Sequence, residues 1–304
     1  MNNDVLRSRA MVSRRRALGL GGTIGLGSLL AACGTSGDRP SGGASSTGSG
    51  TTSTADAATA SATMSTSATT ATSSEVMALL NKASTCSMSK EETQGPYWFD
   101  VDSIRNDIRE QRPGTTLQIA VRVQDLSKCS AGGEAAPVAS SVVEIWHCDA
   151  GGTYSGFESG SAGGGGAPPA NGGAGSSSGE TSDGAYSKGD SEATPTDQAT
   201  YLRGAQVTVA DGTAQFTTIY PGWYRGRTVH IHLKVHIDKK TVLTTQLFMD
   251  ESLNDEVFAV SPYSDHTGRD TTNDNDNIFD KSGLLTVQKR GGGYLGVINL
   301  GVNV

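Results

Sequence analysis

Apolar residues recur at every second position in several short segments after residue 115. In the segment TTLQIAVRVQDL these positions are Leu117, Ile119, Val121 and Val123. Successive side chains of a β-strand point to opposite faces of a sheet, so a period of two indicates a strand with one buried face. The pattern therefore predicts that strands dominate the folded part of the chain.

Six further segments have strand character, and turn signals such as Ala210-Asp211-Gly212 lie between them. They are SSVVEIWHCDA, GAQVTVA, TAQFTTIY, RTVHIHLKVHID, TVLTTQLFM and LLTVQ. Helix is predicted in two short segments, EVMALLNKAS near residue 75 and SIRNDIREQ near residue 103. This spacing describes an antiparallel sandwich or barrel. We expect an all-β fold, an antiparallel β-sandwich with few short helices and long loops.

The segment RTVHIHLKVHID places four polar side chains on one face of its strand. They are His230, His232, Lys234 and His236. His230 and His232 point the same way, with Cα atoms about 6.6 Å apart, so two imidazoles can approach one ion. A His-x-His pair is a weak signal by itself, because a solvated strand face produces the same pattern.

The first 33 residues have the composition of a targeting segment. Arg14, Arg15 and Arg16 precede the apolar run ALGLGGTIGLGSLL, which is too short and too rich in glycine for a membrane span. The arginines resemble a twin-arginine export signal, and LAAC resembles a lipobox in which Cys33 is lipidated. We expect an exported lipoprotein, held at the outer face of the cell membrane by lipid alone. A plain secretory signal or a basic N-terminus is the alternative.

Two stretches offer too little apolar surface to fold by themselves. Residues 34–75 are mostly Ser, Thr, Gly and Ala, and we expect them to form a disordered tether. A Gly/Ser-rich run at about 159–200 is expected to be a long surface loop within a single domain, residues 76–304. The formal charge of −7 argues against nucleic acid as a partner.

Three cysteines remain after Cys33, and an odd count leaves one thiol unpaired. Cys129 and Cys148 each lie at an end of predicted strand structure, with a short connection between them. We therefore expect a disulfide between these two cysteines. A pairing that involves Cys86 is the alternative.

Two tyrosines, Tyr154 and Tyr224, change the interpretation of the His-x-His pair. Phenolate oxygen is a hard donor, so two phenols beside two imidazoles suit a hard, oxidised ion such as Fe(III). Zn(II) or Cu(II) would more usually be bound by histidine, cysteine or carboxylate. The alternative is that both tyrosines are half-buried aromatics of the sandwich.

Four ordered sequence blocks carry a resemblance to a known family. They are TQGPYW (93–98), VEIWHCDAGGTYSGF (143–157), YLRGAQVT with FTTIYPGWYRGRTVHIHLKV (201–235), and TTQLFMD (244–250). From about Glu92 to the C-terminal LGVINLGV, the chain resembles the intradiol ring-cleavage dioxygenases. Within that family it resembles the secreted branch related to the β chain of protocatechuate dioxygenase.

The resemblance implies a mononuclear non-haem Fe(III) centre with two tyrosine and two histidine ligands. Tyr154 ends the Trp-His-x-x-x-x-Gly-x-Tyr block, Tyr224 follows Pro-Gly-x, and His230 and His232 form the His-x-His pair. By the same resemblance Tyr224 is the dissociable axial ligand with His232, and Tyr154 and His230 are the equatorial pair. Tyr220 precedes the Pro-Gly pair and is not a ligand in this pattern.

Three further residues receive roles from the resemblance. Arg227 matches an arginine that stabilises negative charge on the bound substrate, and Gln246 matches a glutamine that faces the same site. Tyr97 belongs to the segment that lines the substrate entrance. Each residue also has a structural alternative. Arg227 would be an exposed charge, Gln246 a polar residue of the sandwich face, and Tyr97 part of a structural turn.

The implied reaction is intradiol cleavage of a catechol-type aromatic by O2, which gives a cis,cis-muconate-type product. The substrate and O2 are the expected small-molecule partners, and no organic cofactor is implied. The alternative from another class is a non-catalytic, surface-displayed β-sandwich that binds a ligand without chemistry. The presence of all four ligand types weakens that alternative.

Overall fold

The computed structural model describes residues 71–129, 135–158, 177–181 and 186–304. All of them belong to one compact unit, Ala62–Val304. The predicted signal with Cys33, most of the predicted tether, and residues 159–176 and 182–185 of the predicted insertion lie outside the described residues. Within the described ranges, no helix is both long and apolar enough to cross a membrane.

Two β-sheets form the body of this unit, which confirms the predicted all-β sandwich. The first sheet contains β1 (Thr116–Asp125), β2 (Ala136–Pro137), β7 (Thr213–Ile219), β10 (Thr286–Arg290) and β11 (Gly293–Val302). The second has the strand order β6 (Arg203–Val207), β3 (Val142–Trp146), β8 (His230–Ile237) and β9 (Lys240–Phe248). Two short strands, β4 (Ser177–Thr181) and β5 (Ser191–Ala193), pair separately.

The core contains side chains from both sheets. The alternating apolar residues of β1 are buried there, and they share one cluster with residues of the second sheet such as Val143, Ile145, Ile231 and Leu233. The period of two in the sequence thus marks the face of β1 that packs in this core. On β8 the opposite, polar face is buried as well, because other parts of the chain cover it.

The strand β11 was not among the predicted strands. It pairs in parallel with β1 from Leu117↔Tyr294 to Asp125↔Val302, while β10 pairs with it in the antiparallel sense. All ten of its residues are buried. Apolar side chains lie on both faces of β11, with Tyr294 and Ile298 in one cluster and Leu295 and Val297 in another, so its sequence does not alternate as that of β1 does.

The helix predicted near residue 75 is confirmed as α1 (Ser73–Leu80). Thr72 and Glu75 cap it reciprocally through side chain and backbone. The backbone amide of Ala71 donates to Gln118 on β1. The predicted domain boundary at residue 76 was therefore wrong, because the folded part already includes residues 71–75.

The helix predicted in SIRNDIREQ was wrong. Ile104 forms a single bridge with Ala205 on β6, and Asp107 forms one with Thr217 on β7. Edge pairing satisfies the backbone here instead of a helix. A helix that was not predicted, α2 (Glu251–Phe258), begins after an Asp250 cap, and 3-10 turns lie at Leu126–Lys128, Tyr263–Asp265 and Lys281–Gly283.

The range predicted for the surface loop, about 159–200, extends too far at its C-terminal end. Tyr186, Ser187 and Ala193 are buried. Asp190 accepts hydrogen bonds from the buried ammonium of Lys234, at 2.6 Å, and from Thr241, at 2.6 Å. The part of the segment from residue 186 onward therefore packs on the polar face of β8.

The disulfide links Cys86 to Cys129, 43 residues apart in sequence, and Cys148 is buried and free. The predicted Cys129–Cys148 pairing was therefore wrong. Cys129 follows β1, and the chain next to Cys86 bridges Gly301, which pairs with the last residues of β1. The two cysteines thus meet at one end of the first sheet, whereas Cys148 follows a strand of the other sheet.

Candidate metal centre

His230 and His232 project from the same face of β8, as the sequence pattern predicts. Their Nε2 atoms lie 3.2 Å apart, and both side chains are buried. His230 Nδ1 lies 2.7 Å from the carbonyl oxygen of Thr228, which can only accept a hydrogen bond. Nδ1 therefore carries the hydrogen, and the lone pair of Nε2 points away from Thr228.

Both predicted tyrosines reach the same point. The hydroxyl oxygen of Tyr224 lies 3.1 Å from His230 Nε2, and that of Tyr154 lies 3.4 Å from the same atom. The structure thus brings together all four residues that the sequence blocks single out. We call Tyr154, Tyr224, His230 and His232 the four-residue cluster. Tyr220 lies elsewhere and donates to Asn254.

Strand register positions the neighbours of the cluster. Trp146 on β3 pairs with His232 on β8, and His232 pairs with Gln246 on β9. Directly paired residues of antiparallel strands lie on the same face of a sheet, so these three side chains form a row. The indole of Trp146 stacks on the His232 imidazole, with ring centroids 4.9 Å apart. This contact limits rotation of the His232 ring.

A compact turn presents Tyr154. One carboxylate oxygen of Asp149 accepts the backbone amides of Gly151 and Thr153, each at 3.0 Å, and the other oxygen accepts Arg112 at 2.6 Å. The turn is thereby fixed by hydrogen bonds before the chain reaches Tyr154.

The loop that carries Tyr224 packs directly on this turn. The Gly222 amide donates to the carbonyl of Asp149 at 3.1 Å. A Cβ atom at Gly222 would lie 2.4 Å from that carbonyl oxygen, and one at Gly152 would lie 2.3 Å from the carbonyl oxygen of Trp223. Only glycine allows the two backbones to approach so closely. This contact sets the separation of the two tyrosine loops.

A Gly152→Ala substitution should therefore destabilise the protein by about 3 kcal/mol, since Gly152 also has a φ of +84°. The matched control is Gly151→Ala, because a Cβ there would meet only Asp149 Oδ1, at 3.5 Å. Urea unfolding of both variants measures the difference. Equal stability of the two variants would show that the close approach to Trp223 is not maintained.

The segment 92–97, which we call the strap, crosses the cluster. Its Glu92 amide donates to Thr244 on β9, and the Gln246 side chain donates to the carbonyl of Thr93 at 2.9 Å. A Cβ atom at Gly95 would lie 3.1 Å from the His232 ring. The Tyr97 ring stacks on that of Tyr154, with centroids 4.7 Å apart, and is itself buried. The strap therefore shields the cluster from solvent.

Arg227 lies beside the cluster and is held by two hydrogen-bond partners. Its Nη2 donates to Gln246 Oε1 at 2.5 Å, and its Nε donates to Asp276 Oδ2 at 3.0 Å. Sequence blocks pointed to Arg227 and Gln246 but not to Asp276. Asp276 belongs to the polar stretch DTTNDNDN, in which no single acidic residue stands out.

Burial and charge set the protonation of the cluster. Burial raises the pKa of both phenols, while the positive charge of Arg227 acts in the opposite direction. Burial and the same guanidinium lower the pKa of both imidazoles. Both histidines are therefore neutral at pH 7, the form that binds a metal. Arg227 favours the phenolate form that the tyrosines need for the same purpose.

The cluster fits a trivalent iron ion. Two donor atoms that lie about 2.1 Å from one ion are about 3.0 to 3.4 Å apart. The separations from His230 Nε2 to the other three donor atoms fall in this range. Two phenols and two neutral imidazoles also form the donor set that suits a hard ion. All four residues could therefore hold Fe(III) together.

The remaining histidines lie outside the cluster and have other partners. His147 Nε2 is hydrogen-bonded to Thr218 Oγ1 at 2.7 Å, and burial lowers the pKa of His147 to about 4. His236 lies 3.2 Å from the buried carboxylate of Glu144. His266 stacks on Trp223 with ring centroids 4.0 Å apart.

Comparison with known proteins places the chain in a family. A scan of protein-family models and a search of curated proteins found no match. The solved intradiol ring-cleavage dioxygenase from Tetranychus urticae is 29% identical; the match covers 72% of the chain and 95% of that structure, with a TM-score of 0.58. A second solved dioxygenase is 30% identical with the same coverage and TM-score. The chain belongs to the intradiol ring-cleavage dioxygenase family.

Proposed function

We propose that the protein is an Fe(III)-dependent dioxygenase that cleaves a catechol-type aromatic between its two hydroxyl-bearing carbons. O2 is the second substrate, and the product is of the cis,cis-muconate type. The observation that carries the proposal is the convergence of Tyr154, Tyr224, His230 and His232 on one buried point. Family membership alone would not suffice, because a protein can keep a fold after its catalytic activity has been lost.

When bound, Fe(III) would supply a Lewis acid for both catechol oxygens and the redox centre for reaction with O2. The side chains of the cluster would hold the ion, with His232 kept in orientation by Trp146. In its phenolate form, the Tyr224 oxygen is the proposed acceptor for a proton from the catechol, which would leave Tyr224 as the neutral phenol. The Arg227 guanidinium would stabilise the negative charge left on the substrate, and Gln246 would keep Arg227 in place.

We also propose that the protein is exported and held at the outer face of the cell membrane through a lipid on Cys33, as a member of the secreted branch. The twin-arginine and lipobox patterns support this placement. The Cys86–Cys129 disulfide supports it independently, since structural disulfides form mainly outside the cytoplasm.

The test of the activity uses iron-loaded protein, oxygen uptake and a panel of catechol, hydroxyquinol and protocatechuate. The protein should be burgundy red, and at least one substrate should give a muconate-type product. Tyr224→Phe should lower turnover about 100-fold, because the proposed proton acceptor is lost. Tyr220→Phe is the matched control, a buried tyrosine outside the cluster, and should remain active. A colourless protein without oxygen uptake would contradict the proposal.

A further inference from the structure

The chain segment between Tyr224 and His230 is hydrogen-bonded to a polar loop, residues 270–276. The amide of Gly226 donates to Asp270 at 3.1 Å, and the amide of Thr228 donates to Asp276 at 2.7 Å. These bonds hold the backbone on either side of Arg227. The loop therefore fixes the position of the Arg227 Cα atom.

Asp276 also controls how the Arg227 side chain is oriented. The same carboxylate oxygen that accepts the Thr228 amide accepts Arg227 Nε at 3.0 Å. The Asp276 side chain is 1% exposed and that of Arg227 is 14% exposed, so water competes little for this ion pair. Gln246 binds Nη2 of the same guanidinium. A planar group that is bound through two of its nitrogen atoms has a fixed plane.

Charge gives the contact a second consequence. The Arg227 guanidinium lies beside the cluster, because it binds Gln246, the direct strand partner of His232. A carboxylate within hydrogen-bond distance offsets part of that positive charge at low dielectric. The potential that an anionic catecholate meets is therefore weaker than that of an unpaired arginine.

We infer that Asp276 is a positioning residue for the reaction, which orients Arg227 toward the bound substrate and limits the positive charge at the site. The inference rests on the proposed function. The two roles of Asp276 have different consequences. Orientation of Arg227 favours turnover, whereas the negative charge of Asp276 weakens the binding of an anion. Loss of Asp276 should misplace the guanidinium and slow the reaction, yet it should leave the affinity for an anionic catecholate unchanged or higher.

The test compares Asp276→Asn with Asp274→Asn, which makes the same charge change in the same loop at an exposed carboxylate. Iron-loaded proteins are assayed for turnover, and the binding of 4-nitrocatechol is followed by absorbance without O2. Asp276→Asn should lower kcat about 10- to 100-fold. Its Kd for 4-nitrocatechol should stay within a factor of two of the wild type or fall. Asp274→Asn should match the wild type in both measurements.

Several outcomes overturn the inference. Asp276→Asn with wild-type kcat does so, and so does a parallel loss of kcat and 4-nitrocatechol affinity, which indicates general damage. If Asp276→Asn does not fold, Asp276→Glu keeps the charge but displaces it, and an unchanged kcat in that variant also overturns the inference. A wild-type protein that binds 4-nitrocatechol but turns over no catechol contradicts the proposed function instead.

Discussion

The His232→Ala variant should lose iron and all measurable ring cleavage. His232 Nε2 is one of the four donor atoms that converge at the cluster, and its ring is fixed between Trp146 and the strap. Removing a group that merely orients a ligand typically costs 10- to 100-fold in metal affinity, and removing the ligand itself should cost more than about 100-fold. Turnover should fall by about 1,000-fold or more.

The matched control for this prediction is His236→Ala. His236 lies on the same face of the same strand and is equally buried, but its partners are Glu144 and Thr241. Its loss should reduce stability by about 1 to 3 kcal/mol, because Glu144 loses a polar partner, and iron should be retained. Iron per chain, the visible absorption band and oxygen uptake are measured on both variants. Equal loss of iron from both would show that the histidines act through the strand and not as ligands.

Sequence periodicity was sufficient for strands that have one apolar face and one mostly polar face. It predicted β1 and β8, and it placed His230 and His232 on one side of β8. The position of Gln246 also follows from the sequence once the hairpin β8–β9 is registered, because His232 and Gln246 are direct partners. The prediction that Tyr154 reaches the same point came from the family resemblance and not from a local sequence pattern.

Long-range contacts that leave no local pattern were not predictable. β11 has apolar side chains on both faces, which pack in two different clusters, so its apolar residues do not alternate. Asp276 sits among similar polar residues, and only its contact with Arg227 distinguishes it. The pairing of Cys86 depends on the path of the chain beside β11, which brings residues 43 apart into contact. Each of these features is decided by tertiary packing.

Removing the Cys86–Cys129 disulfide should lower the free energy of unfolding by about 4 kcal/mol. The bond closes a loop of 43 residues, and a crosslink of this span restricts the unfolded chain by roughly that amount in the chain-entropy model. The strap lies inside this loop, so the variant should also release iron faster on dilution.

A double variant, Cys86→Ser with Cys129→Ser, tests the disulfide by urea unfolding and iron release. The matched control is Cys148→Ala, which removes the buried free cysteine and keeps the bond. Burial raises the pKa of the Cys148 thiol well above its usual range, so this cysteine is an unreactive thiol at neutral pH. Its replacement should cost no more than about 2 kcal/mol, the range for small changes in a core. Thiol counting by mass should find one free thiol among residues 71–304 of the wild type. If the double variant is as stable as Cys148→Ala, or if Cys148 is found in a disulfide, the assigned pairing is incorrect.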